Sequence, residues 1–312
     1  MMIEVKNLFK QYKEVLALNN FNLSVDNGDI YGLVGPNGSG KTTAINCILS
    51  LLNYEKGDIF IFNEKMNSSK NNIKAKIGYI PQDVSVIYDL NVYDNIDFFC
   101  GLYIKDKKLR KQYIEEAIDF VELNDFRRFL PKKLSGGLLR RLNIACGIAH
   151  KPELIIFDEP TVAVDPQSRN KILQGIKELN LKGATIIYTS HYMEEVEYLA
   201  NKISIIDKGH ILVTGTSKEL KSFVGLGNSL EISNIKIDKN YMDELNNIRG
   251  VSKILKNKND LKIIVENALA ISNIINYLNK NNIIYDSLNI KTPTLNDVFL
   301  EITGRELRDN GY

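Results

Sequence analysis

Residues Gly35 to Thr42 read GPNGSGKT, which fills every required position of the phosphate-binding pattern G-x-x-x-x-G-K-[ST]. The pattern constrains the fold because it works in one local context only. A buried strand must feed a glycine loop, and the loop must open a helix. Both flanks are present. Ile30 to Val34 is a short apolar run bounded by glycine, and Ala44 to Leu49 carries apolar residues at helical spacing. Glycines let the backbone N–H groups turn inward on an anion, and the helix N-terminus adds partial positive charge. Lys41 then reaches the β/γ-phosphates, and the Thr42 hydroxyl can sit on Mg²⁺. The candidate phosphate-binding stretch is Gly35-Pro36-Asn37-Gly38-Ser39-Gly40-Lys41-Thr42-Thr43.

The remaining chain predicts an α/β protein. At 312 residues it holds one large domain or two ordinary ones. Strands are expected at Ile3 to Val5, Phe21 to Val25, Ile30 to Val34, Asp58 to Phe62 and Lys76 to Ile80. From Val92 to Ala149 the periodicity turns helical, as in Ile114, Ala117, Ile118 and Val121 at i, i+3, i+4, i+7. Leu154-Ile155-Ile156-Phe157 is the continuous apolar run of a parallel strand covered on both faces. A helix over Gln167 to Leu179, a strand at Thr185 to Tyr188, a helix over Tyr192 to Ala200 and strands near Ile203 to Ile206 and Ile211 to Val213 continue the alternation. Composition loosens at Gly225-Leu226-Gly227-Asn228, which divides residues 1–224 from 229–312. The tail reads strand, helix, strand, strand, helix, strand, the order of a small ferredoxin-like α+β domain, with the last strand over Ile283 to Leu288. A final helix begins at Thr294, whose pairing with Asp297 resembles a capping box.

Composition excludes several classes. A net charge of +2 is too near neutral for nucleic acid to be the main partner. Cys47, Cys100 and Cys146 are odd in number and widely spaced, which argues against a zinc site or disulfide framework and fits a reducing cytosol. The start, Met1 to Lys6, lacks the apolar core of a signal peptide. No stretch approaches the roughly 18 apolar residues of a membrane span, so work at a membrane would need a separate anchor.

Other segments add chemistry to the loop. Asp158 ends the apolar strand, where a carboxylate can hold the metal bridging two phosphates, and Glu159 could orient or deprotonate water. Leu134-Ser135-Gly136-Gly137-Leu138 precedes an amphipathic helix. Ser135 is a plausible N-cap, and the glycines allow an anion close to a second helix N-terminus.

Together these residues resemble the ATP-binding subunit of an ABC transporter over roughly residues 2–220. LSGGL at 134–138 is similar to the signature motif LSGGQ, and LIIFDEP at 154–160 to the Walker B segment. Gln82 matches the Q-loop glutamine, His191 the switch histidine, Asp165 the D-loop, and Tyr12 the aromatic under the adenine. Leu138 replaces the signature glutamine, a change common in the ABC-2 export branch. Ala163 and Lys13 stand where glycine is frequent. TPTLNDVFLEITGRELRD at 292–309 resembles the C-terminal segment of drug- and antibiotic-exporting ABC-2 ATPases.

The resemblance implies a P-loop NTPase core with a helical subdomain at about 83–150, and ATP with Mg²⁺ as cofactors. Lys41, Gln82, Glu159 and His191 would be catalytic. Thr42, Gln82 and Asp158 would serve the metal. Leu134 to Gly137 would contact ATP across a homodimer or a pseudo-symmetric heterodimer. An integral ABC-2-type permease would be the membrane partner, with this chain cytoplasmic and peripheral on the inner face of the membrane. The competing expectation is a soluble ABC-type switch without a membrane partner. Ribosome-acting members usually carry two cassettes in one chain, and here there is one P-loop and one LSGG.

Overall fold

The structure is a computed structural model that describes residues 1–223, 228–237 and 239–304. Gly225-Leu226-Gly227 of the expected boundary, and the part of the 292–309 motif beyond residue 304, lie outside the described residues. The chain forms two compact units, Met1–Thr216 and a second that begins at Ser217.

The first unit contains two sheets. β1 (Ile3–Tyr12), β2 (Val15–Val25), β4 (Lys56–Ile61) and β5 (Glu64–Lys65) form an antiparallel sheet in the order β2-β1-β4-β5. Between its strands the chain makes β3 (Ile30–Val34) and α1 (Lys41–Ile48). After α2 (Asn71–Lys74) and β6 (Ile77–Ile80) come the helices α3 (Val92–Gly101), α4 (Lys107–Phe120) and α5 (Gly136–Ile148). β7 (Leu154–Asp158), α6 (Pro166–Leu181), β8 (Thr185–Ser190), α7 (Met193–Leu199), β9 (Lys202–Asp207) and β10 (His210–Gly215) complete the unit. The second sheet runs β10-β9-β3-β8-β7-β6, parallel throughout except for the edge strand β10.

Every residue of β3, β7 and β8 is buried, as expected of parallel strands covered on both faces. The core joins Ile3, Leu8 and Phe21 of the antiparallel sheet to Ile45 of α1 and to Leu33, Ile156 and Ile187 of the parallel sheet. The helical region is built with caps. Asn91 caps α3 by accepting from the Asp94 N–H at 2.9 Å, and Asp106 caps α4 by accepting from Lys108 and Leu109. α3 packs on both α4 and α5.

The parallel direction of the sheet positions the site. β3, β6, β7 and β8 all point their carboxyl ends the same way. The P-loop, Pro81-Gln82, Asp158-Glu159 and Ser190-His191 therefore leave the sheet on one edge.

The second unit contains α8 (Ser217–Phe223), β11 (Asn228–Ser233), α9 (Lys239–Asn246), β12 (Val251–Asn257), β13 (Asp260–Val265), α10 (Ala268–Lys280), β14 (Ser287–Lys291) and α11 (Leu295–Thr303). Its antiparallel sheet has the order β12-β13-β11-β14, the ferredoxin-like arrangement expected of the βαββαβ order. Leu230, Ile232, Leu261 and Ile263 of the sheet pack with Ile274 and Leu278 of α10. The capping box of α11 forms as expected, with Asp297 accepting from the Thr294 N–H at 2.8 Å. The last strand differs from expectation. It covers Ser287–Lys291, while Ile283 and Tyr285 pack on the core from an irregular segment. No helix among the described residues is long and apolar enough to cross a membrane.

Candidate functional site

The P-loop closes on α1 through Gly40, the N-cap, at φ 108°. A Cβ there would stand 2.7 Å from the Ala17 carbonyl oxygen, so the position admits glycine alone. The loop lines a cavity of about 330 Å³ whose other walls come from Val15, Leu16 and Ala17 of β2, Gln82, Glu159 and Lys208.

At the centre lies the Glu159 carboxylate. Lys41 Nζ is 2.9 Å from its Oε1, and His191 Nδ1 is 3.0 Å from its Oε2. Lys41 also donates to the carbonyls of Gly35 (2.9 Å) and Pro36 (3.2 Å), which ties it to its own loop. Burial pushes the Glu159 pKa up. The hydrogen bond to His191 and the Lys41 charge outweigh this and hold it below the ordinary carboxylate value. Its backbone sits at φ 47°, and its N–H donates to Thr189 Oγ1 at 3.0 Å. Left-handed backbone at a non-glycine residue is the kind of local strain that accumulates where a side chain must be aimed.

Asp158 stands one position earlier and is fully buried. Thr189 Oγ1 donates to its Oδ1 at 2.6 Å, while Oδ2 has no hydrogen-bond partner. Burial raises its pKa, against hydrogen bonds from Thr189 and Thr42. An orphaned buried carboxylate oxygen with a threonine hydroxyl beside it suits a divalent cation, which would reverse the cost of burying that charge.

Gln82 reaches the cavity on a short segment that α5 grips from behind. Buried Arg140 donates to the carbonyls of Pro81 (3.1 Å) and Gln82 (2.7 Å). Asn143 accepts from the Ser85 N–H at 3.0 Å.

Leu134 to Gly137 do not line the cavity. Ser135 caps α5 through the Leu138 N–H at 3.4 Å, and Ser135 and Gly136 are exposed. Gly137 is buried against the start of α6, where a Cβ would lie 2.6 Å from Ser168 Oγ. Asp165 caps α6 by accepting from the Ser168 N–H at 2.9 Å. Tyr12 is also away from the cavity wall. It is 45% exposed at the β1–β2 hairpin, with Lys10 Nζ 5.2 Å from its ring centre.

The structure thus brings Lys41, Thr42, Gln82, Asp158, Glu159 and His191 to one edge and leaves Ser135, Gly136 and Tyr12 on the surface. Sequence reasoning missed Lys208, which enters the wall from the β9–β10 turn at φ 47°. The glycine after it, in a Lys-Gly turn closing a hairpin, was the available signal.

A P-loop, a buried strand ending in Asp-Glu and a histidine paired with that Glu, all on adjacent parallel strands, define a P-loop ATPase of the ATP-binding cassette class. Comparisons agree. Residues 18–162 match the ABC transporter family, and residues 215–303 match the C-terminal domain of DrrA1-3-like ATP-binding proteins. The chain is 34% identical to the linearmycin resistance ATP-binding protein LnrL of Bacillus subtilis, over 99% of this chain and all of that protein. It is 35% identical to the daunorubicin/doxorubicin resistance ATP-binding protein DrrA of Streptomyces peucetius, over 72% of this chain and 68% of that one. It is also similar to the dimeric post-hydrolysis structure of the cassette MJ0796 bound to ADP and Pi, with a TM-score of 0.64, 29% identity, and coverage of 69% and 98%. The chain belongs to the family of ABC transporter ATP-binding proteins, and it is an ATPase.

Proposed function

We propose that the chain is the ATP-hydrolysing subunit of an ABC-2-type exporter, driving a separate integral membrane permease from the cytoplasmic face. The observation that carries the hydrolytic reading is the Glu159 carboxylate, held ionised between Lys41 and His191 at the wall of a P-loop cavity. Full-length similarity to resistance ATP-binding proteins, including the second unit, supports the exporter branch.

In this reading Gly35 to Thr43 cradle the phosphates, and Lys41 neutralises their charge. Glu159 takes the proton of the attacking water, and His191 contacts the γ-phosphate. Thr42, Asp158 and Gln82 would hold Mg²⁺, which when bound supplies charge neutralisation to the transferring phosphoryl group. Exposed Ser135 and Gly136, at the N-terminus of a 13-residue helix, offer an anion site to a second subunit rather than to their own cavity. ATP bound between two subunits joins them, and hydrolysis removes the contact that favours the closed pair. Asp165 would meet the partner beside that junction.

The test has two arms. Purified protein should hydrolyse ATP with Mg²⁺ and stop with a chelator. Affinity capture from detergent-solubilised membranes should bring down a polytopic partner. Capture that recovers no integral membrane protein would support the soluble-switch alternative instead.

A further inference from the structure

Outside the cavity lies a third buried carboxylate, Glu195, with 4% of its surface exposed. It sits in the first turn of α7, and three hydroxyls converge on its Oε2. Thr161 donates at 2.8 Å, Tyr188 at 2.7 Å and Ser190 at 3.0 Å. Burial, and the Glu195 charge with it, raise the Tyr188 pKa, so the phenol keeps the proton that it donates. On the other side Arg169 Nε approaches Oε1 at 3.3 Å, an ion-pair distance without hydrogen-bond geometry.

The partners come from three separate segments, and each segment also carries a site residue. Thr161 lies two residues beyond Glu159. Ser190 is bonded to the peptide of His191, and its Oγ accepts from the Tyr192 N–H at 2.9 Å. Arg169 lies one turn into α6, where its N–H donates to the Asp165 carbonyl at 2.9 Å. The Arg169 guanidinium also lies 4.8 Å from the centre of the Tyr192 ring, which in turn lies 4.1 Å from the His191 ring. A buried charge is costly unless it is fully engaged. A carboxylate used only for packing would be replaced without loss by an apolar side chain, whereas here it accepts hydrogen bonds from the segment after β7 and from β8 and faces a cation of α6.

We propose that Glu195 is a positioning residue that locks the relative placement of Glu159, His191 and the Asp165 end of α6, so that movement of α6 reaches the switch histidine. This rests on the reading that Glu159 and His191 act together on the γ-phosphate. The arrangement makes a specific demand on charge. A glutamine can accept the hydroxyls through its oxygen, but its amide NH₂ then faces the Arg169 guanidinium, donor against donor.

The test is Glu195→Gln in the full chain, read by ATP turnover, ATP affinity and thermal melting, alongside wild type and Glu159→Gln. Misplacement of reacting groups predicts a fall in kcat of about 10- to 100-fold, with ATP affinity within about threefold of wild type. Glu195→Gln/Arg169→Gln, in which one amide can donate to the other, should recover part of that loss. If Glu195→Gln fails to fold, Arg169→Gln is read in the same way. Its side chain is 32% exposed, so its removal leaves the core intact. A folded variant with wild-type kcat overturns the proposal, as does a loss that appears in ATP affinity alone. Failure of the wild type itself to hydrolyse ATP would instead remove the functional reading beneath it.

Discussion

At the scale of single residues, Lys41 is shared. Its ammonium is bound by Glu159, and a γ-phosphate competes with that carboxylate for the same charge. Glu159→Gln should therefore lower turnover about 10²- to 10⁴-fold through loss of the proposed base. It should also hold ATP at least as tightly as wild type, because Lys41 is released to the phosphate. Single-turnover kinetics and equilibrium binding check the two halves separately. Lys208 offers a second cation at the cavity wall, and Lys208→Ala should weaken ATP binding a few-fold, with roughly 1 kcal/mol lost and the effect shrinking at high salt. The phosphate cradle was legible because GPNGSGKT is contiguous. Lys208 and Glu195 were not, because the role of Lys208 depends on the β9–β10 turn meeting a P-loop more than a hundred residues away in sequence, and that of Glu195 on α7 folding back on Thr161, 34 residues away. A motif is visible when local backbone geometry makes the site. Contacts assembled by the sheet leave no local pattern.

At the scale of elements, α5 and its following turn tie the helical region to the sheet. His150 Nε2–H donates to the Ile77 carbonyl, 3.2 Å away, and its ring stacks on Tyr103 at 4.3 Å. Burial lowers its pKa below the ordinary 6.5, against the backbone hydrogen bond. The unfolded chain therefore takes up the proton first. Stability is complete above pH 6.5 and falls as the pH drops from there toward the lower folded value. His150→Phe should flatten the acid side of a melting-temperature profile below pH 6.5, and an unchanged slope would remove His150 as its source. The helices, the buried strands and the ferredoxin-like order were readable from periodicity. The last strand was misplaced because Ile283 and Tyr285 alternate like a strand while packing on the core from an irregular segment. α8 carried too short a pattern to be seen, with seven residues in all.

At the scale of the whole molecule, half of the proposed chemistry faces outward. Glu159→Gln with ATP should run as a dimer on size exclusion and as a monomer without nucleotide. Adding Ser135→Arg should abolish the ATP-dependent shift while leaving ATP binding by the P-loop within about twofold, since Ser135 lies outside that cavity. A dimer that persists without nucleotide would point to another interface. Such symmetry was not legible from geometry within one chain. It entered through the likeness of LSGGL to a known signature. One detail of α5 then carries further. The helix begins at the exposed Ser135-Gly136 end, and one turn later its Arg140 grips the backbone of Gln82. A 13-residue helix is a stiff rod about 20 Å long. In the proposed dimer, pressure from a neighbour's nucleotide on its tip would thus be delivered to the glutamine beside the chain's own nucleotide. The two sites of a closed pair would be in conversation, each able to delay or advance the other's firing.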